Sequence, residues 1–221
     1  RVISLQGEAE LRPLHIIVPG DPSSAAFPIV AALLIPGSEI TITGIGINQT
    51  RVGLIKLLQD MGGQVEMLNI HSEGGEPVAD IHVRHSPLTA IDNDPADIPS
   101  MVDEFPIAFI AAAMAQGRSI FRGLHELRVK ESDRITAMAQ GLRLIGARVE
   151  ETEDGLIIDG SGGDPFAGGG PVVTHLDHRI AMSFAIAGLV SRNGVTIDDM
   201  RPVATSFPGF GDVLKALGAR Q

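Results

Sequence analysis

Apolar residues along the chain fall into two kinds of run. In "AAFPIVAALLI", "EFPIAFIAAAMA" and "RIAMSFAIAGLV" they occupy nearly every position, which predicts helices of about four turns buried on all sides. Elsewhere they recur at i, i+3 and i+4, as at Leu54, Leu57, Leu58 and Met61, which predicts helices that cover the outside. Short β-rich runs lie between them: "EITITG", "SIFRG" and "GVTID".

These pieces recur in a fixed order, used three times. Polar residues open each unit, at "DPSS", "DEFP" and "DHRI". The buried helix follows, then a Gly (Gly37, Gly117, Gly194), a short strand, and an amphipathic helix that stops at a second Gly (Gly62, Gly146, Gly218). Gly at a helix end fits the C′ position, where positive φ costs other residues energy. The first two units continue into the strands "QVEML" and "RVEE". "ADIHVRHSPLTAI" reads as a strand and turn. "GLIIDGSGGDPFAGGG" reads as a strand followed by a Gly-rich loop, with residues 168–170 expected to be flexible loop rather than a phosphate cradle. "GIGINQT" lacks the third Gly and the immediate helix of a dinucleotide fingerprint.

Composition narrows the chemistry. Aromatics are 4%, with no Trp or Tyr, so the core should be built mainly from Ala, Ile, Leu, Val and Met. A formal net charge of −10 argues against a nucleic-acid binder. The absence of Cys excludes disulfides and thiolate chemistry. No secretory signal or bilayer-spanning run is present in these residues, so the expected location is cytoplasmic, with no membrane partner. The opening "RVISLQG" has no initiator Met, which fits a fragment, a processed product or a trimmed start.

If three equivalent helices run side by side, their N-termini emerge on one face, where partial positive charge and free N–H groups favour anions. Asp21, Ser23, Ser24, Asp103 and Asp177 all suit capping positions there, and for Asp21 and Ser23 capping and function remain equally open. Asp103 and Glu104 form an acidic pair where one cap would suffice, which favours function for Asp103. Arg179, with His178 beside it, opposes a helix dipole unless an anionic ligand lies between; a surface pair with Asp177 is the alternative. The segment "LRVKESDRI" should begin the next helix near Glu131 or Ser132, with Lys130 and Arg134 on one face and Glu131 within a turn of both. Glu131 is thereby a candidate acid–base group, against the plainer reading of a solvated, salt-bridged helix start. The residues together suit a small anionic substrate and proton transfer.

"GDPSSAAFPIVAALL", "DEFPIAFIAAA", "LRVKESDRI", "HLDHRIAMSFAIAGL" and "TSFPGF" together resemble the EPSP synthase family, in the family's order and over most of the chain. The resemblance implies an α+β, inside-out barrel-like fold of three βαβαββ repeats with buried parallel helices. It further implies that residues 1–18 are a crossover and the end of a missing N-terminal domain, and that 19–221 form the C-terminal domain. The implied reaction transfers the enolpyruvyl group of phosphoenolpyruvate to the 5-hydroxyl of shikimate 3-phosphate, without metal or cofactor. Asp103 would handle the shikimate hydroxyl and Glu131 the proton at the methylene carbon. Lys130 would lie near shikimate 3-phosphate, and Arg134 and Arg179 would grip the phosphoenolpyruvate carboxylate. Two positions depart from other members: Thr205 stands where some have Lys, and Glu126 where some have Asn. Both changes resemble a bacterial subgroup often tolerant of glyphosate. The alternatives are a UDP-N-acetylglucosamine enolpyruvyl transferase on the same fold and a non-catalytic isolated domain. The half-cleft expected here should be inactive without its complementary N-terminal domain.

Overall fold

A computed structural model describes residues 2–8, 10, 13 and 16–219. Helix α1 (Pro22–Leu34) leads into β1 (Glu39–Gly46), α2 (Gly53–Asp60), β2 (Gln64–Glu73) and β3 (Glu76–Arg84). The same order returns as α3 (Phe105–Met114), β4 (Arg118–Phe121), α4 (Arg134–Leu144), β5 (Arg148–Glu151) and β6 (Leu156–Asp159). The last part runs β7 (Gly169–Val172), α5 (His178–Leu189), β8 (Val195–Ile197), α6 (Val203–Ser206) and α7 (Phe210–Ala216). The architecture is helices with small sheets.

The strands of each part form their own sheet. β3 lies between β1 and β2, and β6 between β4 and β5, all antiparallel, while β7 and β8 pair in parallel. Helices α1, α3 and α5 pack against one another at the centre, each also touching strands of its own part. Every residue of α3 is buried, as its unbroken apolar sequence requires. α2 instead buries Leu54, Ile55, Leu57 and Leu58 along one face.

The outer helices end in one way three times. Gly62, Gly146 and Gly218 have φ of +88°, +98° and +95°. After each, the next residue's N–H donates back into the helix: Gly63 to Leu58 at 2.8 Å, Ala147 to Leu142 at 2.9 Å, Ala219 to Leu214 at 2.9 Å. These are Schellman caps, and only Gly takes the left-handed turn without a Cβ penalty.

The structure corrects four sequence expectations. Residues 168–170 are not free loop: Gly169–Val172 is β7, and a Cβ on Gly168 would lie 2.2 Å from the Gly194 carbonyl oxygen. Helix α4 starts at Arg134, not at Glu131 or Ser132, because Asp133 caps it by accepting from the Thr136 N–H at 3.0 Å. The last amphipathic segment is split into α6 and α7, with Gly209 between them at φ +81°. The core is less purely aliphatic than composition suggested, since seven of the eight Phe are buried. Phe105, Phe109 and Phe121 form a cluster with centroids 5.0–6.1 Å apart.

α4 meets α5 closely at one point. A Cβ on Gly141 would fall 2.2 Å from Cζ of the fully buried Phe184 ring. Ala normally stabilises a helix by about 1 kcal/mol over Gly, but overpacking costs roughly 1–3 kcal/mol. Gly141→Ala is therefore expected to destabilise by about 1–2 kcal/mol in urea unfolding. A gain in stability would show that this contact relaxes freely.

Candidate functional site

Between β4 and α4 the chain makes a short 3-10 turn at His125–Val129 and then runs irregularly to Asp133. Leu127 anchors it in the core. Arg128 anchors it on the other side, donating to Asp133 at 2.9 Å, to Glu151 at 3.3 Å and to the carbonyls of Thr152 and Glu153 at 2.7 Å. Half of the charged cluster is thus a clamp onto the β5–β6 hairpin. It holds Lys130, Glu131 and Arg134 over the starts of α3 and α5. Lys130 and Arg134 do not share a helical face, since Lys130 precedes the helix.

Arg134 has no exposed side-chain surface. Its Nε donates to Asp177 at 2.8 Å, its Nη1 to Asp103 at 3.1 Å, and its Nη2 to Glu131 at 2.6 Å and to Asp177 at 3.4 Å. Asp177 is equally buried and also caps α5, accepting from the Arg179 N–H at 2.9 Å, while Ser132 Oγ donates to it at 3.1 Å. Burial opposes ionisation of Asp177, but the bonds and charge of Arg134 outweigh it and hold its carboxyl below the usual range.

Asp103, at the start of α3, is the meeting point. Beside its Arg134 bond it lies 3.5 Å from Lys130 Nζ and 3.8 Å from Arg179 Nη2. Partial burial works against its charge, yet Arg179, Lys130 and Arg134 prevail and its pKa falls. Lys130 also donates to Glu126 at 2.8 Å, and chiefly through that bond its pKa rises. Arg179 does not pair with Asp177 in the manner of a surface ion pair. Its Nη1 donates to the Asp103 carbonyl at 3.2 Å and to Glu104 at 3.4 Å. His178 is half-buried, and burial followed by the Arg179 charge pushes its pKa down.

Asp103, Glu126, Lys130, Glu131, Arg134 and Arg179 are therefore gathered at the shared start of the central helices, with His178 flanking them. Asp21 lies apart as a cap for α1, accepting from the Ser23 and Ser24 N–H groups. Thr205 Oγ1 donates to the Pro202 carbonyl at 2.8 Å within its own exposed turn. Sequence reasoning missed three contributors: Ser132, the pairing role of Asp177, and Arg51, which reaches Asp21 at 3.2 Å and Ser23 at 3.0 Å. No local spacing signals these contacts, which join distant segments.

Three cations beside the partly exposed carboxylates Asp103 and Glu131 form a surface suited to anions and proton transfer. Residues 1–214 match the family model described as EPSP synthase (3-phosphoshikimate 1-carboxyvinyltransferase). The chain is 62% identical over 98% of its length to a 3-phosphoshikimate 1-carboxyvinyltransferase of Sphingopyxis alaskensis, covering 49% of that protein. It is 64% identical over 98% of its length to the namesake of Novosphingobium aromaticivorans, covering 50% of it. The chain thus spans about half the length of these curated relatives. A solved EPSP synthase of Acinetobacter baumannii superposes with a TM-score of 0.90 at 46% identity, over 92% of this chain and 47% of that one. The enolpyruvyl transferase NikO of Streptomyces tendae shares the fold, with a TM-score of 0.67 at 19% identity, over 92% of this chain and 44% of that one. Among the described residues no helix is long and apolar enough to cross a membrane.

Asp177→Asn tests the buried pair. Asn still caps a helix, but removing the charge takes away the fully buried partner of Arg134 and leaves only the partly exposed Asp103 and Glu131, at a cost of about 1–3 kcal/mol. The folded-state pKa of Asp177 lies below its ordinary 3.8, so its contribution is complete above about pH 4 and is lost as pH falls further. Denaturant unfolding from pH 7 to pH 2 should show the variant weaker at pH 7 with a shallower acid limb. Equal stability at pH 7 would remove the pair's structural role.

Proposed function

The chain belongs to the EPSP synthase family, and from that premise we propose that it supplies the C-terminal half of a site that transfers an enolpyruvyl group from phosphoenolpyruvate to the 5-hydroxyl of shikimate 3-phosphate. The supporting observation is the convergence of Asp103, Glu131, Lys130, Arg134 and Arg179 at one end of the central helices.

In this reading Asp103, held ionised, accepts the proton of the attacking hydroxyl, and Lys130 lies beside it toward shikimate 3-phosphate. The hydroxyl oxygen bonds to C2 of phosphoenolpyruvate while C3 takes a proton from Glu131, giving a tetrahedral intermediate. C3 then returns a proton to Glu131, the double bond re-forms, and the bond from C2 to the phosphate oxygen breaks; phosphate leaves with the bonding electrons and takes the proton held by Asp103. Arg134 and Arg179 bind the carboxylate of phosphoenolpyruvate, which reaches Arg134 by taking the place of Asp103 or Glu131. These two carboxylates are the ones free to yield, with side chains 40% and 50% exposed.

We read the repeated element order and the three matching helix caps as three βαβαββ units around helices that share a direction. That is the inside-out arrangement of the family. Residues 1–18 serve as the crossover and end of the N-terminal domain, and 19–221 as the C-terminal domain. Val2, Ile3, Leu5, Ile16, Ile17 and Val18 are all exposed, as suits a segment whose packing partner is the other domain. That complementary domain is the proposed partner, and the small water-soluble substrates fit a cytoplasmic protein.

The test measures phosphate release from shikimate 3-phosphate and phosphoenolpyruvate. The chain alone should be silent. Fused to the N-terminal half of the Sphingopyxis alaskensis relative, it should turn over. Silence of the folded fusion would refute the reaction, and turnover by the chain alone would refute the shared site. In the active fusion, Glu131→Gln should lower kcat by about 10²–10⁴-fold, the range of general acid–base catalysis; an unchanged kcat would remove Glu131 from the proton path.

A further inference from the structure

Glu104 has no part in the chemistry above, yet it is the acidic residue most enclosed after Asp177. Its side chain is 7% exposed, against 40% for its neighbour Asp103. It stands at the N-cap of α3 but makes no side-chain cap bond. A buried carboxyl that caps nothing needs another reason to be there.

Its contacts point to Arg179. Glu104 Oε1 accepts from Arg179 Nη1 at 3.4 Å, and the same nitrogen donates to the Asp103 carbonyl at 3.2 Å. One edge of the guanidinium is thus held by a backbone oxygen and a buried carboxyl, neither free to swing away. The other edge, Nη2, lies 3.8 Å from Asp103 Oδ2, beyond hydrogen-bonding reach. Behind Glu104 lies the buried Ser23 of α1. Ser23 Oγ in turn accepts from Arg51 Nη2 at 3.0 Å, and Arg51 is steadied by Asp21 at 3.2 Å.

We propose that Glu104 is a positioning residue, which fixes the Nη1 edge of Arg179 so that the Nη2 edge is presented to the substrate carboxylate, with Ser23 and Arg51 holding Glu104 in place. The inference rests on the reading of Arg179 as a carboxylate ligand given above. Planar, two-edged recognition of a carboxylate by Arg depends on orientation, so losing the brace should weaken binding rather than the chemical step.

Steady-state kinetics of the full-length fusion decide the matter. Glu104→Ala should raise KM for phosphoenolpyruvate about tenfold, the scale of one hydrogen bond to a charged group. It should leave kcat and KM for shikimate 3-phosphate within about threefold. Glu104→Gln, whose amide oxygen still accepts from Arg179, should recover most of that loss. Unchanged KM in Glu104→Ala would overturn the proposal while leaving the reaction intact. A fall in kcat with both KM values raised and no rescue by Gln would also overturn it, as a merely structural role. Should Glu104→Ala not fold, Ser23→Ala carries the test: a selective rise in KM for phosphoenolpyruvate supports the brace, and none overturns it. An unsubstituted fusion that folds but releases no phosphate fails the reaction itself, and this inference with it.

Discussion

A guanidinium without access to water must be neutralised by the protein, and the geometry at the shared end of the central helices follows from how Arg134 is neutralised. Burying an unpaired ion costs several kcal/mol even after relaxation. Here the charge meets Asp177 from α5, Asp103 from the start of α3, and Glu131 from the loop before α4. Each carboxylate comes from a different segment, so satisfying one side chain fixes three backbones relative to one another. Hydrophobic packing of α1, α3 and α5 sets the helices side by side without specifying how far one slides along another. The Arg134 cluster adds that directional constraint where the chemistry lies.

Exposure sorts the carboxylates into two groups. Asp177 and Glu104 are enclosed and bond to fixed partners, Arg134 and Arg179. Asp103 and Glu131 are partly exposed; both bond to Arg134, and Asp103 also lies 3.8 Å from Arg179. An incoming anion competes only with the second group. The enclosed acids therefore hold Arg134 and Arg179 in place, while the more exposed acids lie on the solvent side. The charges at this end do not cancel. Three cations, Lys130, Arg134 and Arg179, face five acids, Asp103, Glu104, Glu126, Glu131 and Asp177. Acids outnumber cations there, so any anion that binds must displace a carboxylate from its cation.

Much of this was legible in the sequence. Runs apolar on every side located α1, α3 and α5, and the paired Gly signals located the helix ends, because both depend on residues within one or two turns. The density of charge in "LRVKESDRI" marked the site. Its internal division did not show, since Arg128 and Asp133 serve the loop and α4 while Lys130, Glu131 and Arg134 face the site. That division depends on Glu151 and on the Thr152 and Glu153 carbonyls, beyond the end of α4. The Asp177 pair with Arg134 spans 43 residues and the Glu104 pair with Arg179 spans 75, so neither leaves a periodic trace. Asp177 looked like an ordinary cap because it is one, and its second bond is invisible without the fold. The strand at residues 169–172 was misjudged because Gly reads as loop, whereas here its lack of a Cβ lets β7 approach β8.

The three helix starts are alike in position and unlike in use. At α1, Asp21 caps Ser23 and Ser24 and meets Arg51 across an ion pair whose two side chains are about half exposed. Such a pair contributes little in water, and no buried cation gathers other segments there. The part of α1 that reaches inward is Ser23, which touches Glu104 rather than open solvent. At α3 and α5, Asp103 and Asp177 instead meet across Arg134, with Arg179 donating to the Asp103 carbonyl and Lys130 3.5 Å from Asp103. A threefold arrangement of helix ends would offer three equivalent anion sites if its side chains were equivalent. The placement of Arg134 between α3 and α5 breaks that symmetry, so that the charged cluster gathers at two helix starts while α1 contributes only Ser23 to it.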